Sequence, residues 1–142
     1  MATVPDRVPP GPVHPLLAFL VAAALTLFAG GLLADLAYSS TYEIQWNNFA
    51  EWLIAGAMVF AGLALLWTLV ALLRARNRRG RSFFVFLLLL AIFILGLLNN
   101  FLHARDAWGS MPGGLVLSAI VTLLAILTTW FAFSGLRGKV GR

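Results

Sequence analysis

The sequence contains no cysteine, which removes structural disulfides, thiolate metal centres, iron-sulfur ligation and cysteine nucleophiles from consideration. Charge is nearly as scarce. Only 11% of the 142 residues are Asp, Glu, Lys or Arg, against about a quarter in an average soluble domain, and a chain so poor in charge cannot cover a surface that faces water. Charged residues and histidine are missing altogether from four long stretches, roughly 16–34, 53–73, 83–98 and 115–136. Proton relays, ion pathways and buried cofactor ligands depend on such residues at membrane depth, so their absence argues against a pump or an ion-coupled transporter.

What fills the chain is apolar: 61% of residues are hydrophobic and the mean hydropathy is +0.93. The length accommodates about four spans of roughly 20 residues with short connections and leaves no room for a soluble enzyme domain. The fold expected is therefore all-α, a polytopic membrane protein built as a four-helix bundle without an enzymatic activity of its own. The spans fall at about 16–37, 49–73, 83–103 and 114–136. A tail over 1–14, with four prolines in its first 13 residues, precedes them and cannot be helical; a short basic tail over 138–142 follows. A cleaved signal peptide competes for the first span, but its apolar region runs about 7–15 residues before an Ala-x-Ala-like exit, and neither condition holds here. Residues 38–48 read as a polar connection lying along the membrane interface, because Tyr38, Tyr42 and Trp46 are interleaved with its polar residues. Span three, FFVFLLLLAIFILGLL, is the bulkiest and is expected to show more of its surface to lipid.

The net charge of +5 would suggest nucleic acid in a soluble protein. Here the cations are grouped as a topology signal. Arg74, Arg76, Arg78, Arg79 and Arg81 form one run, and with four spans they share a side with Arg7, Arg137, Lys139 and Arg142, nine residues against Arg105 alone. The basic side belongs in the cytoplasm, which puts both termini there in a bacterial inner membrane. The partner this implies is the lipid bilayer, with no role for nucleic acid; binding of anionic lipid by the run is the alternative to a topology signal alone.

The polar residues at depth are Thr26, Thr68, Ser118, Thr122, Thr128 and Thr129. Ser118, Thr122, Ala125 and Thr129 share one face of span four, and Ala57, Ala61 and Ala64 form a similar seam in span two. Small residues in such seams let helices approach and hydrogen-bond; lining for an apolar ligand is the other reading. The two histidines lie at opposite ends of the bilayer, about 30 Å apart, and cannot share a metal. His14 sits at a helix start beside Pro15. His103 has a richer neighbourhood: Asn99 and Asn100 share its helical face, Arg105 and Asp106 follow, and Asp35 and Glu51 lie at the same ends of spans one and two. These seven residues are the candidate outer polar site, either a network that closes the bundle or a place for a ligand or partner. Asp35 is the favoured partner of His103, with Glu51 next. No ligand-type pair has a diagnostic metal spacing.

The His14-Pro15-Leu16-Leu17 opening, Asp35, the Trp46, Phe49, Ala50, Trp52, Leu53 and Ile54 set, and the Asn100, His103, Arg105, Asp106, Trp108 stretch before Gly114 and Ser118 resemble a bacterial four-helix membrane family catalogued as a domain of unknown function. The resemblance covers nearly the whole chain from His14, and His-x-Arg-Asp-x-Trp is its most specific part. It implies a membrane protein without an assigned activity. Some relatives carry a fused Rieske-type iron-sulfur domain, which implies a redox connection for them. This chain departs from its relatives in lacking that domain and in reading Leu16, Leu17, Ala18, Phe19 where many have a second histidine. Three functions remain open: a small non-catalytic membrane subunit or scaffold acting on another membrane or redox protein, a redox-linked protein that binds haem or is associated with quinone or iron-sulfur electron transfer, and a transporter of small neutral or apolar solutes. No cofactor is required by the first.

Overall fold

A computed structural model describes residues 13–75, 80–105 and 107–134. They form helices α1 (Pro15–Thr41), α2 (Ile44–Arg74), α3 (Arg81–His103), α4 (Ala107–Ser110) and α5 (Gly113–Phe133), with no strand among the described residues. Most of the proline-rich tail, Arg76, Arg78, Arg79, Asp106 and the basic tail 138–142 lie outside the described residues. The protein is all-α, and four of its helices are long and apolar enough to cross a membrane.

Connections of a few residues force chain neighbours to run antiparallel. The long helices form a ring in which α1 packs on α2 and α5, and α3 on α2 and α5. Both described ends of the chain therefore lie at one end of the bundle, the terminal end, together with the α2–α3 connection. The α1–α2 turn, α4 and the start of α5 lie at the other, the far end.

The connection expected over 38–48 is almost wholly helical. Ser39, Ser40 and Thr41 turn their hydroxyls back onto the carbonyls of Leu36, Ala37 and Ala37 at 2.8, 3.0 and 2.8 Å, so the polar side chains are satisfied without leaving the helix. The chain breaks only at Tyr42, which takes a left-handed conformation (φ 56°) and donates its N–H to the Tyr38 carbonyl at 2.8 Å, and at Glu43. With 31 residues, α2 is about 46 Å long at 1.5 Å per residue. It therefore carries its polar first turn beyond a hydrocarbon layer of roughly 30 Å or crosses that layer tilted.

Burial follows a heptad rhythm on every long helix. The heptad positions turned inward are Val21, Ala24, Phe28, Gly31, Asp35 and Tyr38 on α1, Asn47, Ala50, Ile54, Ala57, Ala61, Ala64 and Thr68 on α2, Val85, Leu89, Ile92, Gly96, Asn99 and His103 on α3, and Gly114, Ser118, Val121, Ala125, Thr128 and Ala132 on α5, with Leu20, Ala34, Met58, Leu72 and Thr122 buried on their flanks. Steps of three and four in alternation average 3.5 residues, the repeat of helices that wrap around one another with a left-handed supercoil. This rhythm corrects the face expected for α5. Ser118, Thr122 and Ala125 are buried, but at the next turn Thr128 points inward while Thr129 is only half-buried, because the seam drifts back against a straight 3.6-residue helix.

Alanine is the most frequent residue in this interior, and the larger Leu33, Trp52, Leu66, Leu123 and Trp130 face outward. Lipid is as apolar as leucine, so helices in a bilayer gain by close approach rather than by hiding hydrophobic bulk. Gly96 shows how close: a Cβ there would lie 2.5 Å from Met58 Sδ and 3.5 Å from Phe28 Cζ. The greater exposure expected of α3 is shared with α1: 28% of the most apolar stretch of each is buried, against 33% in α2 and α5.

Candidate functional site

The heptad rhythm carries Asp35, Asn99, His103, Ser118 and Gly114 inward at one level near the far end. Each is cut off from its surroundings: Asp35 and Asn99 are 0% exposed, His103 1% and Ser118 2%. Asp35 reaches across the bundle from α1. Its Oδ1 lies 2.7 Å from His103 Nε2 on α3, and its Oδ2 accepts a short hydrogen bond from the Ser118 hydroxyl on α5. Asn99 Nδ2 donates to Ser118 Oγ at 2.8 Å. His103 Nδ1 lies 2.9 Å from the backbone carbonyl of Asn99, one turn back on its own helix.

These contacts fix where the hydrogens are. A carbonyl only accepts, so His103 Nδ1 carries a hydrogen and donates it to Asn99. Ser118 receives the Asn99 amide N–H and gives its own hydrogen to Asp35 Oδ2. One hydrogen is left for the line between His103 Nε2 and Asp35 Oδ1, and either atom can hold it. The cluster is an imidazolium facing a carboxylate or an imidazole facing a carboxylic acid, and both forms have zero net charge. A lone carboxylate at this depth would carry a desolvation penalty of several kcal/mol; the pairing offsets it.

Close approach of α5 makes the pairing reachable. Gly114 lies against the flat of the His103 ring, and a Cβ there would be 2.7 Å from Cε1 and 3.3 Å from both ring nitrogens. A second contact at the same end ties α2 to α4, where the buried Ser110 hydroxyl donates to Asn47 Oδ1 at 2.9 Å. Among the described residues, the buried oxygens without a hydrogen-bond partner are the side-chain carbonyls of Asn99 and Asn100.

The other candidates are placed less centrally. Glu51 is half-buried on α2 and does not join the hydrogen-bonded set. Asn100 is half-buried on α3, and Arg105 is exposed beyond the end of that helix. Asp106 lies outside the described residues, as do the side chain of Trp108 and three of the five arginines of the basic run; of the other two, Arg74 is exposed and Arg81 half-buried. By its spacing Ser118 reads as a packing residue, Gly114 enters only through the family resemblance, and Asn47 and Ser110 carry no sequence signal of their own. The available signal was the heptad that aligns Gly114 and Ser118 with Ala125.

The residues present do not fit a haem held by two histidines. Both ring nitrogens of His103 are engaged, and His14 stands at the terminal end, where its Nδ1 accepts the N–H of Leu16 at 3.2 Å. No group of three or more His, Cys, Asp or Glu side chains among the described residues is placed to hold a metal ion.

Residues 10–134 match the model of a family described as predicted membrane protein, DUF2231. No curated protein and no solved structure matches the chain.

Proposed function

The chain belongs to the DUF2231 family of predicted membrane proteins, and from that premise we propose that it is a small, non-catalytic subunit of a bacterial inner membrane that positions another membrane protein. The observation that carries this reading is the closure of the polar layer. Asp35, His103, Ser118 and Asn99 bond one another at 0–2% exposure, so the chemically capable side chains are engaged in holding helices together. Groups available to another molecule lie on the rim instead. At the far end Tyr42, Trp46 and Trp52 are 63%, 40% and 77% exposed, and such rings favour the headgroup level, where a neighbouring membrane protein meets them. The basic run and both termini face the cytoplasm in this reading, by the excess of Lys and Arg on their side.

Photo-crosslinking residues at positions 46 and 52, compared with position 123 on the lipid-facing side of α5, test the proposal in intact membranes. A single protein adduct from the rim positions and only lipid adducts from position 123 are expected. Lipid adducts from every position would overturn the reading. The absorption spectrum of the purified protein, oxidised and then reduced, tests the redox alternative, for which a Soret band is the required result. Reporter fusions at positions 45 and 78 should label opposite sides of the membrane, with position 78 inside.

A further inference from the structure

Near the far end, α2 and α3 carry two charges that the polar layer does not use. Glu51 is half-buried on α2, and Arg105 is exposed just beyond the end of α3. Among the described residues neither side chain has an ion pair or a hydrogen bond. One bundle therefore leaves a carboxylate and a guanidinium without a partner at the edge of the hydrocarbon, where an unpaired charge is costly.

The packing of the two helices fixes where these residues stand. A Cβ on Gly62 would lie 3.1 Å from Phe93, and one on Gly96 would lie 2.5 Å from Met58, so α2 and α3 run past each other with Gly62 beside Phe93 and Met58 beside Gly96. Glu51 precedes Met58 by one heptad and shares its side of α2, the side toward α3. At 1.5 Å per residue on both helices, the same register puts Glu51 level with His103 and Ala104, within about 3 Å of the depth of Arg105. Arg105 belongs to a different side of its helix. It follows Ile94, Leu98 and Phe101 at steps of four, three and four, and this row is 52%, 50% and 60% exposed. The row lies about 100° around α3 from Phe93 and the α2 seam, so it faces lipid and not α2 of its own chain.

We propose that two copies of the chain pair through this side of α2 and α3, about a two-fold axis along the membrane normal, with Glu51 of each copy meeting Arg105 of the other. Charge complementarity selects a second copy as the occupant. A two-fold contact needs a surface that complements itself, and these two groups are opposite in sign, equal in depth and set on different sides of neighbouring helices. Rotation about the normal keeps their depth and lays the Arg105 row of one copy along the α2–α3 seam of the other, so both pairs form together. A guanidinium matches a carboxylate in a bidentate fork, and Ile94, Leu98 and Phe101 supply the side-chain fit that helix association in lipid requires.

The absence of cysteine gives a clean test, because Phe101→Cys creates a full chain with one thiol, placed on the contact. The chain is reconstituted at high dilution in phospholipid vesicles and oxidised, and the band at twice the chain mass is measured on a non-reducing gel. Leu123→Cys, on the exposed side of α5, gives the background from random collisions, which Phe101→Cys should exceed clearly. In the Phe101→Cys chain, Glu51→Arg or Arg105→Glu sets like charges against each other and should lower the dimer about tenfold or more. Reconstituted together, these two variants should pair with each other, since a chain with both positions basic then faces a chain with both acidic. Glu51→Gln, which removes the charge at nearly constant shape, should lower the dimer several-fold and keeps the test decisive if a reversed chain does not fold. A dimer at background level would leave the two charges to lipid headgroups and overturn the proposal, as would a dimer undiminished by Glu51→Gln. Recovery when both reversals are in one chain, without recovery on mixing the single variants, would assign the pair to the interior of one chain and overturn it as well.

Discussion

Replacing Asp35 by alanine and by asparagine separates two things that the polar layer does at once, satisfying hydrogen bonds and balancing charge. Alanine removes the hydrogen-bond partner of both His103 Nε2 and the Ser118 hydroxyl, on residues that are only 1–2% exposed. Each orphaned group costs about 1–3 kcal/mol, so the loss should be roughly 2–6 kcal/mol, in the range of about 3–5 kcal/mol seen when one side of a buried pair is deleted. Asparagine keeps every bond. Its amide oxygen takes the Ser118 hydrogen, and its amide nitrogen donates to Nε2 of a neutral imidazole whose Nδ1–H still reaches the Asn99 carbonyl. Asp35→Asn should therefore cost less than about 1 kcal/mol. The measurement is equilibrium unfolding in mixed micelles with increasing dodecyl sulfate, followed by the fluorescence of the five tryptophans. The two variants should differ by at least about 1 kcal/mol, roughly fivefold in the unfolding equilibrium. Equal, large losses would refute the one-shared-hydrogen account, because the carboxylate charge itself would then be indispensable. Two wild-type curves would show that the layer does not hold the bundle together.

Gly114→Ala places a methyl group 2.7 Å from His103 Cε1, and the ring is held at both nitrogens and cannot swing away, so a loss of about 1–3 kcal/mol is expected in the same assay. Gly109→Ala, where an added Cβ meets nothing within 4 Å, should change stability by no more than about 0.5 kcal/mol; matching midpoints for the two would refute the packing argument. Replacing Arg74, Arg76, Arg78, Arg79 and Arg81 together by Gln should give mixed orientation or poor insertion in the reporter fusions at 45 and 78. A single unchanged orientation would mean that the cations near the C-terminus suffice.

The spans were legible because a bilayer demands length and apolarity, and 16–37, 83–103 and 114–136 overlap α1, α3 and α5 closely. The turn at 38–48 was not, because composition cannot show that Ser39, Ser40 and Thr41 hide their hydroxyls on their own helix. Which face of each helix turns inward was hidden for a different reason. Hydrophobic residues occupy all faces, so apolar periodicity says nothing, and the informative pattern is the 3.5-residue spacing of small and polar residues. Asp35 and His103 could be paired from sequence because a carboxylate and an imidazole at matching depth each reduce the other's cost of burial. Ser118 could not be joined to them, since a lone serine among alanines reads as a packing residue until its neighbours in space are known.

The same spacing bears on why a bundle in lipid would carry a polar layer at all. Four apolar helices, three of them with alanine in the seam, pack nearly as well in more than one ring order or register, and the surrounding lipid gives no hydrophobic penalty to separate the alternatives. Asp35 makes them unequal. It is satisfied only when α3 presents His103 and α5 presents Ser118 at its own level, and Gly114 admits the ring only when α5 lies directly against it. A slip of one heptad on any of the three helices leaves a buried carboxylate without partners, at a cost of several kcal/mol, whereas the alanine contacts would survive it. The layer therefore acts mainly as a selector of arrangement, in the way a single buried polar residue fixes the register of a coiled coil. Its position near one end sets the order and register of the helices there, at the same end of the bundle as the exposed rings of Tyr42, Trp46 and Trp52.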